Sequence, residues 1–188
     1  MTKLRIRTLT MGTAFVLGAI AIVPARSQGT QPDQANAVTR EQQELAWKRL
    51  KEMVGVWKGD GQPGPARVEQ RYELMLQDQF LHARTTSISE SDSHEDWEVV
   101  SFDRMRGKVV LRQFVSEGYV NQYVLDQLEN SGRTPVFDSE SCENSPPGFR
   151  TRQTLTFDDD NRISQQLELA PSGKQFSRCS STTLARVK

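Results

Sequence analysis

The cysteine, histidine and acidic side chains of this sequence are the groups that could carry chemistry, and they form no catalytic or metal-binding motif. The two cysteines, Cys142 and Cys179, and the two histidines, His82 and His94, stand at spacings that match no zinc site. The sequence contains no nucleophile elbow, phosphate-binding loop or HExxH motif. The acidic run at 158–161 lacks the alternating ligands of a calcium loop and is typical of a hairpin turn. The residues therefore favour a binding protein over an enzyme.

The N-terminus has the order of features that marks a secretory signal peptide. Basic side chains at 3–7 precede an apolar run at 11–23, and a small-x-small cleavage sequence follows at 25–27. The apolar run is shorter than the about 20 residues of a membrane-spanning helix, and no cysteine stands directly after it for lipid attachment. We expect cleavage before Gln28, with Arg26 as the alternative, and a mature protein that is periplasmic or secreted, without an integral membrane segment.

The charge balance argues against two classes of partner. The chain has 24 basic and 24 acidic residues. Loss of the predicted signal peptide, residues 1–27, removes four basic side chains and no acidic one, so the mature chain is mildly acidic. A mildly acidic chain has no electrostatic footprint for nucleic acid or for an anionic membrane. In an oxidising compartment Cys142 and Cys179 could pair, but the sequence does not fix their distance, and free thiols are equally compatible with it.

The mature chain begins with a flexible leader, predicted over residues 28–38, and one amphipathic helix. Thr39 and Gln42 have the spacing of a capping box, which predicts the start of the helix, and Gly55 ends it. The apolar face of this helix is predicted to comprise Leu45, Leu50, Met53 and Val54.

Ten short strands separated by turn residues are predicted after the helix. No helical period of useful length separates them, so consecutive strands should pair as antiparallel hairpins in a sandwich or a barrel. The predicted strands cover residues 56–61, 66–76, 80–89, 96–103, 108–116, 119–128, 135–143, 149–157, 162–170 and 175–187.

Several predicted strands place glutamine, threonine or serine on the same face as apolar residues. Gln165 shares a face with Ile163 and Leu167, whereas the strand at 96–103 has no clear inner face. A buried amide without a partner costs ~1–3 kcal/mol, so inward polar groups are expected around a hydrated or occupied cavity. Polar groups located at strand ends near the rim are the alternative.

A glycine- and tryptophan-containing motif opens the first strand. Gly55, Trp57, Gly59 and Gly61 form the pattern GxWxGxG. A large aromatic side chain at this position can plug one end of a barrel, and the glycines permit the tight bend and close strand approach that closure requires. The alternative is an ordinary strand with glycine-rich edges.

The helix, the GxW sequence and Arg186 on the last strand resemble the calycin superfamily of lipocalins and fatty-acid-binding proteins. The resemblance implies that residues 39–188 form a single all-β, ten-stranded antiparallel up-and-down barrel, with the helix capping its closed end. Trp57 and Arg186 would then pack together at that end, and the interior would hold a small apolar or amphipathic molecule. Residues 101–126 and 140–157 also resemble uncharacterised exported bacterial barrel proteins.

The complete GxWxGxG motif and the ten strands resemble nitrobindin-type barrels more closely, and those barrels hold haem. Nitrobindins bind iron through a histidine near the start of the final strand, where this chain has none. Cys179 falls at or next to that position, and a thiolate can ligate haem iron. His82 is predicted on the third strand and His94 in a polar loop, away from the ligand position.

The favoured prediction is thus an exported carrier or sensor that has no cofactor. A haem protein acting on reactive nitrogen or oxygen species, which would be an enzyme, is the first alternative. An exported interaction module with a filled core is the second.

Overall fold

The described residues, 37–90 and 92–188 of the computed structural model, form a closed barrel of ten antiparallel strands with one α-helix. Each strand pairs with the next along the chain, and the first strand closes the ring against the last. The predicted fold class is therefore confirmed. The predicted signal peptide and residues 28–36 of the predicted leader lie outside the described residues. The elements are α1 (Arg40–Lys51), β1 (Gly55–Gln62), β2 (Ala66–Met75), β3 (Phe80–Ile88), β4 (Ser93–Asp103), β5 (Lys108–Val115), β6 (Val120–Glu129), β7 (Thr134–Glu143), β8 (Arg150–Asp159), β9 (Arg162–Ala170) and β10 (Ser177–Arg186).

Helix α1 begins at the predicted capping box. The backbone N–H of Gln42 donates to Thr39 Oγ1 at 3.3 Å, and the backbone N–H of Thr39 donates to Gln42 Oε1 at 2.8 Å. These two bonds satisfy amide groups that the first helical turn leaves without intrahelical partners. Within the described ranges, no helix is long and apolar enough to cross a membrane.

The buried face of α1 differs from the predicted one. Leu45 is 52% exposed and Val54 is 40% exposed, so the prediction was wrong for both residues. Gln43 is buried instead: its side-chain amide donates to the carbonyl of Leu125 at 2.9 Å and accepts from the backbone N–H of Val109 at 2.8 Å. These bonds to β5 and β6 turn the Gln43 face toward the barrel. The other buried residues of this region are Ala46, Leu50 and Met53.

The apolar core lies between α1 and the strand ends that are next to it. Because α1 covers this end, large side chains from many strands lose almost all contact with solvent, which is the main stabilising contribution to such a fold. The largest fully buried side chains are Trp57, Tyr123, Phe137, Met53, Leu81, Leu125, Ile163 and Leu184.

Candidate ligand-binding site

Trp57 and Arg186 lie together where the helix meets the barrel. Trp57 is 1% exposed, and its indole N–H donates to the carbonyl of Met53 at 2.7 Å. The guanidinium of Arg186 lies over the indole ring and donates to the carbonyls of Glu52 and Val54, both at 2.7 Å. The last strand is thereby attached to the segment between α1 and β1, which is the packing that the calycin resemblance implies.

The glycines of the GxWxGxG motif meet different local requirements. Gly55 has a φ of +131°, a backbone conformation that side chains with a Cβ rarely adopt. A Cβ on Gly59 would lie 1.9 Å from the carbonyl oxygen of Thr183, so β1 and β10 approach too closely for any side chain there. A Cβ on Gly61 would meet only side chains, the nearest being a methyl of Val68 at 3.3 Å.

The barrel encloses a cavity of about 630 Å³ on the far side of this core. This volume lies within the ~300–1,000 Å³ typical of small-molecule sites. Leu50 and Met53 line it at the helix end, and Gln62 and Pro146 line it at the opposite end, where the strand-connecting loops lie. Its apolar lining includes Val68, Leu81, Val100, Leu111, Val115, Phe137, Phe149, Leu155, Leu167 and Leu169. Its polar lining includes Gln70, Tyr72, Thr85, His94, Asp96, Glu98, Gln113, Asn121, Thr151, Gln153, Gln165 and Thr182.

Three of the polar side chains form a closed hydrogen-bonded ring. The hydroxyl of Tyr72 donates to Gln70 Oε1 at 2.7 Å, the amide of Gln70 donates to Gln165 Oε1 at 2.7 Å, and the amide of Gln165 donates to the Tyr72 oxygen at 3.0 Å. All three residues lie in the middle of their strands, on β2 and β9. Their polar groups therefore face the interior, and the alternative that placed such groups at the rim does not apply to them.

Strand β4 contributes two carboxylates to the cavity wall. Strand β4 begins at Ser93 rather than at residue 96, because its pairing with β3 continues through His94. His94 is thus a strand residue that lines the cavity, and its prediction as a loop residue was wrong. With His94 facing inward, Asp96 and Glu98 face inward as well, and each is 9% exposed.

Neither carboxylate could be assigned to the cavity from the sequence, because apolar residues occur on both faces of β4. The available signal for an inward acidic face was a pair of acidic residues two positions apart, on the same face of the strand as Val100.

The two carboxylates have different surroundings. Burial raises the pKa of Glu98 to about 8, and the nearby Asp96 adds to this increase. Burial also raises the pKa of Asp96, while the adjacent His94 favours its charged form. His94 Nε2 lies 3.5 Å from Asp96 Oδ2, and His94 Nδ1 lies 2.8 Å from a carboxylate oxygen of Glu117. Among residues 37–90 and 92–188, no arginine or lysine lines the cavity.

The residues considered as haem ligands are not arranged as that alternative requires. Cys179 is exposed at an irregularity in the β9–β10 pairing, and it does not line the cavity. His82 lies outside the cavity lining with its ring against Trp97, at 5.1 Å between ring centres. His94 does line the cavity, but both of its ring nitrogens face carboxylates. The described residues therefore present neither the predicted thiolate nor a histidine with a free nitrogen to the interior.

The two cysteines are free thiols in this structure. Cys142 is on β7 and Cys179 is on β10, with β8 and β9 between them in the sheet. The disulfide considered from the sequence is therefore not formed.

Comparisons with known proteins support the fold. No known protein-family model matches this chain. No curated protein sequence matches it either. Among solved structures, the chain is similar to Rv2717c from M. tuberculosis, with 17% identity, a TM-score of 0.61, and coverage of 76% of this chain and 98% of that chain. It is also similar to the S-type phycobiliprotein lyase CPES from Guillardia theta, with 12% identity, a TM-score of 0.51, and coverage of 78% and 97%. Both similarities support the barrel fold.

Proposed function

We propose that this protein is an exported carrier or sensor that binds one small amphipathic molecule inside the barrel. The observation that supports this most directly is the cavity of about 630 Å³, which an interaction module with a filled core would not have. The barrel is wide enough for a ligand and has an apolar wall near the helix. No described group in the cavity forms a recognisable set of catalytic residues.

The distribution of polar groups supports an amphipathic ligand. Apolar side chains, including Leu50 and Met53, form the deep part of the cavity next to α1. The Gln70, Tyr72 and Gln165 ring and the β4 carboxylates form a second, polar region of the wall, which the strands supply. A molecule with an apolar tail and a polar group would match both regions. A wholly apolar molecule would instead displace water from the polar side chains of the wall without replacing the lost hydrogen bonds.

The proposal can be tested with a neutral fluorophore whose emission increases in apolar surroundings, such as N-phenyl-naphthylamine. We expect saturable binding at about one molecule per chain, and competition by amphiphiles. Thr85 lines the cavity, whereas Thr86, the next residue on β3, does not. Thr85→Trp should fill the space and weaken binding at least about tenfold, whereas Thr86→Trp should leave binding unchanged.

Two further measurements complete the test. Native mass spectrometry of protein purified from its own host should show a bound small molecule. Absence of saturable binding by any amphiphile, in protein whose circular dichroism shows a folded barrel, would contradict the proposal.

A further inference from the structure

The cavity wall contains two buried acidic side chains. Asp96 and Glu98 are each 9% exposed and line the cavity, but no lysine or arginine in the described part of the chain lines it with them. Glu98 lies near the middle of β4, about halfway along the barrel, and forms no ion pair with a described residue. A carboxylate that is removed from water without a cationic partner is energetically costly, and a ligand can supply that partner.

The groups around Glu98 do not supply a positive charge. The neighbouring strands place Ala83 and Gln113 directly opposite it. The titratable neighbours are Asp96 on the same strand, Tyr72 from β2 and Tyr123 from β6, and none of them is a cation. Gln153 on β8 approaches the carboxylate and favours its charged form.

The described cavity lining also contains His94, whose ring lies against other carboxylates. Its ring nitrogens face Asp96 and Glu117. Along β4, Asp96 lies between His94 and Glu98. The His94 ring is therefore engaged by Asp96 and Glu117, and Glu98 is left to a partner from outside the chain.

We propose that the ligand of this cavity carries a cationic nitrogen, an amine or quaternary ammonium group, that binds at Glu98 and Asp96. This inference rests on the proposed binding function and specifies its ligand class. A fatty acid would place its carboxylate beside two carboxylates, and no described lysine or arginine lines the cavity to receive it. A cation attached to an apolar tail instead pairs with Glu98 while the tail extends toward Leu50 and Met53. Aromatic rings in the wall, such as Phe137 and Phe149, are also favourable neighbours for a cation.

The experiment compares three ligands that share one tail: decyltrimethylammonium and decanoate, each below its micellar concentration, and decanol below its solubility limit. Their dissociation constants are measured by displacement of the neutral fluorophore and by calorimetry. We expect the cation to bind most tightly and decanoate most weakly. Glu98→Gln should weaken the cation about ten- to a hundredfold and leave decanol nearly unchanged, because only the charged pair is lost. Asp96→Asn should act in the same direction.

Glu73→Gln provides the matched control. Glu73 is exposed on β2 and does not line the cavity, so this variant makes the same carboxyl-to-amide change without changing the site. It should leave all three affinities unchanged.

The ligand series separates this inference from the function on which it rests. If decanol binds but the cation has no advantage, or if Glu98→Gln and Glu73→Gln behave alike, the cationic ligand is wrong and the binding function stands. If none of the three ligands binds the folded protein, the binding function itself is contradicted.

The pH dependence gives a second readout. The quaternary ammonium keeps its charge at every pH, so only the protein titrates. Its affinity should increase as the pH rises toward about 8, the raised pKa of Glu98, and level off above that value; the increase should be at most about tenfold per pH unit. A flat profile for the unmodified protein would overturn the assignment to Glu98.

Discussion

The guanidinium carbon of Arg186 lies 4.3 Å from the centre of the Trp57 indole ring, and the two residues are direct partners across the β1–β10 pairing that closes the barrel. A cation over an aromatic face contributes ~0.5–2 kcal/mol, depending on its desolvation. Arg186 also binds two carbonyls in the segment after α1. One pair of residues therefore joins the first strand, the last strand and the helix.

Trp57→Ala should destabilise the protein by ~3–5 kcal/mol, because it leaves a cavity in the core and removes the stacking partner of Arg186. The free energy of unfolding can be measured in urea. Trp57→Phe keeps most of the apolar volume but loses the bond to the Met53 carbonyl, so its effect should be smaller. A change below ~1 kcal/mol for the alanine variant would show that the residue does not close the core.

Gly59→Ala should destabilise the barrel by more than ~3 kcal/mol, because its Cβ would collide with the backbone of Thr183 and force β1 away from β10. Gly61→Ala is the matched substitution on the same strand. Its Cβ would meet only movable side chains, so the cost should stay within ~1 kcal/mol. Equal effects of the two substitutions in urea unfolding would contradict the close approach at Gly59.

Gln43→Ala should cost ~2–3 kcal/mol, since the buried carbonyl of Leu125 and the buried N–H of Val109 both lose their partner. Gln42→Ala, which removes half of the capping box at an exposed position, should cost less, about 1 kcal/mol. Hydrogen exchange at the Val109 amide provides a local readout. Undiminished protection of that amide in Gln43→Ala would exclude the proposed attachment of the helix to β5.

The raised pKa of Glu98 makes stability depend on pH. Below 4.5 the carboxyl is protonated in both the folded and the unfolded chain, and it contributes no difference. Between 4.5 and about 8 the unfolded chain loses its proton first, so the folded state loses stability as pH rises, and above about 8 the loss is complete. The total is at most on the order of 5 kcal/mol.

Glu98→Gln should therefore raise the free energy of unfolding at pH values near the upper end of that window and have little effect near the lower end. Thermal unfolding in ligand-free protein across this window can measure the difference. A variant that is less stable than the unmodified chain at the alkaline end would contradict the unfavourable burial of the charge.

Export predicts that protein isolated from the extracytoplasmic fraction starts at or near Gln28, as read by N-terminal sequencing. Substituting Ala25 and Ser27 with bulky residues should block cleavage, because signal peptidases require small side chains at these positions. A soluble cytoplasmic protein that retains Met1 would exclude a signal peptide.

Local sequence patterns determined the elements of this fold. The capping box at Thr39 and Gln42 predicted the start of α1, and the turn residues between apolar runs predicted all ten strands. These predictions succeed because a cap or a hairpin depends on neighbouring residues. The burial of Trp57 and its packing with Arg186 were inferred from the motif and its resemblance to calycins, and the structure places both residues accordingly.

Only the tertiary structure decided which side chains face the cavity. Apolar residues on both faces of β4 gave no preference, and the pairing of His94 with Ser87 fixed the inward face that carries Asp96 and Glu98. Likewise, Gln43 rather than Leu45 is buried on α1, because Gln43 meets backbone groups of β5 and β6 that are far away in sequence. The absence of lysine and arginine from the cavity lining, among the described residues, depends on many strands at once, since their residues converge on one cavity only when the barrel closes.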